Sequence, residues 1–232
     1  MAVIFSDTWT GTNGDAWNAQ WTKSGSQTTD IQSNEGRVVT GSSANDSTAM
    51  RCTDPLSAID YTGVVKLKFT TITDGEFYYF IHFRGSSTFA GTPVCLANSY
   101  ELRVIWYNPG TSIGVNFYEI SGTGTKTYRN GADHLASTIA AGDSVWFKWE
   151  VGGAPTNRLR YRIWKDGDSE PGTWTNDWSG SVVADNRGSY MALIVQNGST
   201  TTSEDLTFDG LSLDDGSTPH PIPPPNLSRW RV

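Results

Sequence analysis

Six segments of this chain carry the two-residue alternation of half-buried β-strands, and no segment carries a sustained helical repeat. "TGVVKLKFTTI" (62 to 72), "EFYYFIHFR" (76 to 84), "SYELRVIWY" (99 to 107), "SVWFKWEV" (144 to 151), "RLRYRIWK" (158 to 165) and "SYMALIVQ" (189 to 196) are rich in β-branched and aromatic residues. Each is bounded by Gly, Asn, Asp or Pro, which end strands. Shorter strands are predicted at 3 to 6, 28 to 32, 35 to 40, 47 to 53, 113 to 119, 125 to 129 and 204 to 213. The best helical stretch, "DHLASTIAA" (133 to 141), has room for only a turn or two. A chain of 232 residues with 37% hydrophobic content can bury one sizeable core. So many strands joined by short turns predict an all-β fold of two packed antiparallel sheets in one domain.

Alternation assigns faces, because successive side chains in a strand point to opposite sides. Phe77, Tyr79, Ile81 and Phe83 read as core, as do Leu102, Val104 and Trp106, then Val145, Phe147, Trp149 and Val151, then Leu159, Tyr161 and Ile163. The outward sets include Tyr78, Phe80, His82 and Arg84; Arg103 and Tyr107; Trp146; and Arg160, Arg162 and Trp164. Rings mixed with cations can stack under a ring-shaped ligand and hydrogen bond at its edge. They can equally pack on one another or on a neighbouring subunit, since Arg stacks readily on aromatic planes. Both readings stand at this point, with those ten residues as the candidate ligand-binding set. Trp9, Trp17 and Trp21, each beside a turn signal, read as edge and core packing.

Composition excludes several classes. A net charge of −7 and a pI near 4.9 argue against nucleic acid as a partner. No run of about 18 apolar residues offers a membrane span, and the opening Met-Ala-Val-Ile-Phe shows no secretory signal. The two cysteines, Cys52 and Cys95, are too few for a disulfide framework and read as buried thiols.

Three stretches carry a resemblance: "FSDTWTGTNGDAWNAQWT" (5 to 22), "AAGDSVWFKWEVGGAPTNRLRYRIWKDGDSEPGTW" (140 to 174) and "DLTFDGLSLDD" (205 to 215). The chain to about Asp215 resembles the concanavalin A-like lectin/glucanase (laminin-G-like) jelly rolls found in actinobacteriophage minor tail proteins and in bacterial secreted proteins. The most specific element is Trp164 followed by Gly167, Glu170-Pro171 and Trp174. That resemblance implies a jelly-roll sandwich over residues 1 to 216 with one convex and one concave sheet. It also implies adjacent first and last strands, "FSD" beside "TFDG", and a loop from which Trp174 caps the core. The ten candidate residues would then gather on the concave face.

Related jelly rolls include glycoside hydrolases, whose β-glucan-cleaving members carry a Glu-x-Asp-x(1 or 2)-Glu strand motif that pairs nucleophile and acid/base. This chain lacks it. The nearest cluster is Glu204, Asp205 and Asp209. His82, His134 and His220 are scattered, so no catalytic set is expected. No cofactor is implied beyond a structural calcium held by Asp7 and Asp209, with Asp214 or Asp215, where the terminal strands meet.

Residues 217 to 232, "STPHPIPPPNLSRWRV", hold five prolines between 219 and 225 and then Leu227, Arg229, Trp230 and Arg231. An extended polyproline spacer of this length reaches on the order of 45 Å, and the residues after it suit a partner anchor. The expectation is therefore a non-enzymatic phage virion component, a minor tail or surface decoration protein. It would be made in the host cytoplasm, oligomeric within its assembly, and in contact with other virion proteins and a host-surface glycan. A secreted bacterial carbohydrate-binding module is the second reading and a diverged glycoside hydrolase the third.

Overall fold

The computed structural model describes residues 2–71, 76–91, 94–107, 112–135, 139–152, 157–180, 188–198, 203 and 205–215. Its strands are β1 (Val3–Asp7), β2 (Trp21–Ser24), β3 (Thr28–Gln32), β4 (Glu35–Val39), β5 (Ser47–Cys52), β6 (Tyr61–Thr71), β7 (Glu76–Gly85), β8 (Phe89–Ala90) and β9 (Cys95–Leu96). There follow β10 (Ser99–Tyr107), β11 (Ser112–Ile120), β12 (Lys126–Leu135), β13 (Ser144–Gly152), β14 (Asn157–Lys165), β15 (Asn176–Gly180), β16 (Tyr190–Asn197) and β17 (Asp205–Asp214). No α-helix occurs among the described residues. The helical stretch expected at 133 to 141 begins as the end of β12, which pairs with β11 as far as Leu135: ladder bonds prevail over a weak local propensity.

Two antiparallel sheets face each other. One has eight strands in the order β15-β14-β13-β6-β17-β4-β3, with β1 also on β17; the other has seven, β12-β11-β10-β7-β16-β5-β2. The first and last strands do pair, but Asp7 lies opposite Leu211 and Phe5 opposite Leu213. β1 therefore meets "LSLD" rather than "TFDG". The reason is that β17 shares one edge between two neighbours: residues 205 to 208 pair with β4 and residues 211 to 214 with β1. Gly210, at φ +64°, marks the changeover, where the register against β6 also shifts.

The inward sets read from alternation form the core. Phe77, Tyr79, Ile81, Phe83, Leu102, Val104, Trp106, Phe147, Trp149 and Tyr161 are all buried in one cluster between the sheets. Rings interlock across the gap: Phe69 of the eight-stranded sheet lies 4.1 Å from Trp106 of the other, Phe208 lies 5.4 Å from Tyr79, and Tyr161 lies 5.5 Å from Phe117. Such edge and tilted contacts suit the quadrupoles of aromatic rings. Trp9, Trp17 and Trp21 join this core as expected, with centroids 5.2 and 5.4 Å apart in sequence order. Cys52 and Cys95 are free and buried, and burial pushes the Cys52 thiol up to about 11.

Gly63 on β6 shows how tightly the sheets are filled. A methyl group there would fall inside the indole of Trp149, which is fully buried and has nowhere to move. Gly63→Ala is expected to lower stability by about 1 to 3 kcal/mol through overpacking. Urea denaturation measures it; an unchanged midpoint would mean that the indole repacks freely.

Candidate functional site

The ten residues expected on one concave face lie on two opposite outer faces. Tyr78, Phe80, His82, Arg84, Arg103 and Tyr107 belong to β7 and β10 of the seven-stranded sheet, whereas Trp146, Arg160, Arg162 and Trp164 belong to β13 and β14 of the eight-stranded one. Alternation tells inside from outside but not which sheet a strand joins, so the single site divides.

On the eight-stranded sheet the chain covers part of its own outer face, over β13 and β14. The turn after β14 folds back so that Trp174 lies 4.4 Å from the guanidinium groups of both Arg160 and Arg162. Glu170 of the same turn accepts hydrogen bonds from Arg162 and from Lys148, at 2.6 and 2.9 Å. Trp174 therefore caps cations on the outside and not the core, because a short turn leaving the outer edge returns most directly onto the outer face. Beside it Trp146 and Trp164 stack at 6.3 Å in a small buried cluster with Val64. Trp146 donates from Nε1 to Asp166 at 2.8 Å, and Lys66 lies over its ring. Trp164 is only 3% exposed, too little to serve as a stacking platform for a ligand.

The seven-stranded sheet is roofed over part of its outer face only. The β8–β9 hairpin lays Cys95 and Leu96 over Phe80, Ala192, Ile194 and Ile120, making a second small core outside the sheet. Phe80, His82 and Arg84 are buried beneath or beside it, so they are structural. Arg84 donates from Nε to the carbonyl of Ile59 and pairs with Asp60, fixing the loop before β6. β10 carries Tyr107 at its end, and its side chain lies outside the description.

What the hairpin leaves open is a pocket of about 360 Å³ lined by Tyr78, Arg103, Lys126, Gln196, Gly198 and the loop residues Ala44 and Asn45. Tyr78 and Arg103 are the two predicted residues that meet there. The Arg103 guanidinium lies 4.2 Å from the Tyr118 ring, 5.1 Å from Phe80 and 5.9 Å from Tyr78, which fixes a long side chain in place. Gln196 donates from Nε2 to Asn45 Oδ1 at 2.9 Å, setting two planar amides side by side. Sequence reasoning missed Lys126, Asn45 and Gln196. Lys126 opens β12, Asn45 sits in a polar loop, and Gln196 lies near the end of the apolar strand β16; only the tertiary fold makes them neighbours.

Beneath the pocket runs a buried polar network. Glu101, fully buried, accepts from Lys126 Nζ at 2.6 Å and from Arg103 Nε at 3.0 Å, and His82 Nε2 lies 3.1 Å away. Burial acts to raise the Glu101 carboxyl, but His82, Lys126 and Arg103 together hold it down at about 2. Burial lowers His82 against the pull of Glu101, while its Nδ1 sits 3.0 Å from Ser99 Oγ. The Ser99 hydroxyl in turn donates to the carbonyl of Leu96 in the hairpin at 2.7 Å. The network thus ties roof to sheet and positions the two cations.

Other predicted sites fare differently. Both carboxylate oxygens of Asp7 face N–H donors: Oδ1 takes the Trp9 amide at 2.7 Å, and Oδ2 takes Trp21 Nε1 at 2.6 Å and Asn18 Nδ2 at 3.1 Å. Asp209 lies 3.8 Å from Lys66 on the outer face. The two carboxylates expected to share calcium thus answer to different partners, and no group of three metal-ligating side chains occurs among the described residues. Glu204, His220 and the tail with Leu227, Arg229, Trp230 and Arg231 lie outside the described residues, as does the His134 side chain.

The two packed antiparallel sheets are those of a jelly roll. No protein-family model matches the chain, and no curated protein matches it in sequence. Solved structures do. The exoplasmic/lumenal domain of VIP36 in its Ca2+/Man2-bound form has a TM-score of 0.61 at 12% identity, over 93% of this chain and 89% of that one. The CBM2 module of the evolved Dit of Lactobacillus casei BL23 phage J-1 has a TM-score of 0.61 at 8% identity, over 91% and 94%. A glycosyl hydrolase family protein from Mycobacterium fortuitum has 0.57 at 14%, over 92% and 100%. The fold is therefore the concanavalin A-like jelly roll, in agreement with the resemblance read from the sequence.

Proposed function

We propose that this chain is a non-catalytic glycan-binding domain whose sugar sits in the pocket between Tyr78, Arg103, Lys126 and the Asn45–Gln196 amides. The observation that carries this reading is the pocket itself: a ring, two cations and two planar amides converge where the roofing hairpin stops. An aromatic plane with amides and cations at its rim suits a polyhydroxylated ring. Glu101 pairs with both cations of the pocket; held ionised and buried under them, it is unsuited to proton transfer or attack. That supports binding without hydrolysis. In the same proposal the domain belongs to a phage virion, as a minor tail or surface decoration protein that contacts the host surface. The likeness to the CBM2 module of a phage Dit supports this.

A glycan array probed with the purified chain tests the reading, followed by titration of the best binder against Tyr78→Ala. The substitution is expected to weaken binding by about 1 to 2 kcal/mol, the scale of a lost stacking contact, with no release of reducing ends by the wild type. A blank array, or binding untouched by the substitution, would remove the pocket from consideration.

A further inference from the structure

We infer that the glycan bound in this pocket is acidic, its oxyanion seated between Lys126 and Arg103. The inference rests on the glycan reading of the same pocket and goes beyond it in naming the ligand's charge. One carboxylate, Glu101, faces two cations, since both Lys126 and Arg103 pair with it. Glu101 is 0% exposed at its side chain, whereas Lys126 and Arg103 are 18% and 19% exposed. A ligand in the pocket therefore meets the cations and not the acid that positions them. The remaining lining residues, Ala44, Asn45, Tyr78, Gln196 and Gly198, bring no negative charge. His82, the other titratable group against Glu101, has its protonated form disfavoured by burial, so the local balance is one positive charge in a chain of net −7.

The cations also retain bonding capacity. Arg103 uses Nε and Nη2 on Glu101, and Lys126 uses one of its three hydrogens there. The remaining hydrogens can meet an oxyanion of a hexuronate or of a sugar phosphate, charge-assisted bonds being the stronger kind. Across the pocket the amide hydrogens of Asn45 and the carbonyl of Gln196 can take hydroxyl groups, because Gln196 donates its own amide to Asn45. A neutral sugar can take hydrogen bonds from the two cations through its hydroxyl groups, but only an oxyanion gains the charge-assisted strength.

The test titrates the full chain with three probes: a hexuronate oligosaccharide, its carboxyl-reduced neutral counterpart, and a sugar phosphate. One acidic probe is expected to bind at least about tenfold tighter than the neutral one, and the tighter of the two assigns the charge to carboxylate or phosphate. Its affinity should fall as salt rises from about 0.05 to about 0.5 M, where exposed charges are screened. Lys126→Gln should erase the acidic preference; should that variant fail to fold, the wild-type salt series decides. Equal, salt-independent binding of acidic and neutral probes would overturn the acidic ligand and leave the glycan reading standing. Binding of none of the three, together with a blank array, would end both.

Discussion

Glu101→Ala is expected to cost about 3 to 5 kcal/mol of folding stability, the usual consequence of removing one partner from a buried charge cluster. The carboxylate is fully buried between His82, Arg103 and Lys126. Without it two cations are left facing each other in the pocket, and the β8–β9 hairpin loses the network that reaches it through His82 and Ser99. Chemical denaturation of both proteins measures the loss. A variant as stable as the wild type would show that water enters and solvates the cations, and that the pocket floor is not rigid.

The same cluster sets a pH dependence with a definite sign. The folded-state pKa of Glu101 is depressed from 4.5 to about 2, so its contribution is present above the unfolded value and is lost as pH falls from about 4.5 toward 2. The His82 pKa is also lowered, from 6.5. The unfolded chain therefore takes up that proton first, and stability begins to fall below about pH 6.5. The melting temperature should thus decline in acid from near pH 6.5 downward, and Glu101→Gln should flatten the lower part of the decline.

Asp7→Ala is expected to cost about 3 kcal/mol. Its carboxylate gathers the Trp9 amide, the Trp21 indole N–H and the Asn18 side-chain amide around the end of β1. Each buried donor left without an acceptor costs about 1 to 3 kcal/mol, less where water reaches it, as at Asn18. The tryptophan cluster would loosen with it, since Trp9 packs edge-on against Trp17 and stacks on Trp21. Asp7→Asn, which keeps one oxygen and adds two hydrogens, should recover only part of the loss. Because N–H donors occupy both oxygens, calcium and EDTA are expected to leave the wild-type melting temperature unchanged. A rise with calcium that Asp7→Asn removes would place a metal at the strand ends.

The sandwich was legible because alternation is a local property. In "EFYYFIHFR" and "SVWFKWEV" a period of two suffices to say which rings face the core, and Phe77, Tyr79, Phe147 and Trp149 lie there. The resemblance carried by the opening and closing phrases implied the pairing of first and last strands, though not its register, which depends on how β4 and β1 divide the edge of β17.

The pocket was legible only in part. Tyr78 and Arg103 show in the sequence as outward residues of β7 and β10, but whether an outward residue meets solvent depends on what folds over it. Residues 86 to 98 have weak strand character, so nothing local signals that β8 and β9 cover Phe80 and His82 while leaving Tyr78 open. "RIWKDGDSEPGTW" shows the same limit: its turn is plain from the residues, yet only the return of Trp174 onto Arg160 and Arg162 covers those residues on the opposite face. Period and turn chemistry, set by neighbours along the chain, determined the strands and their inner faces. Which outer face stays open was decided by tertiary contacts, because burial is a property of distant segments meeting.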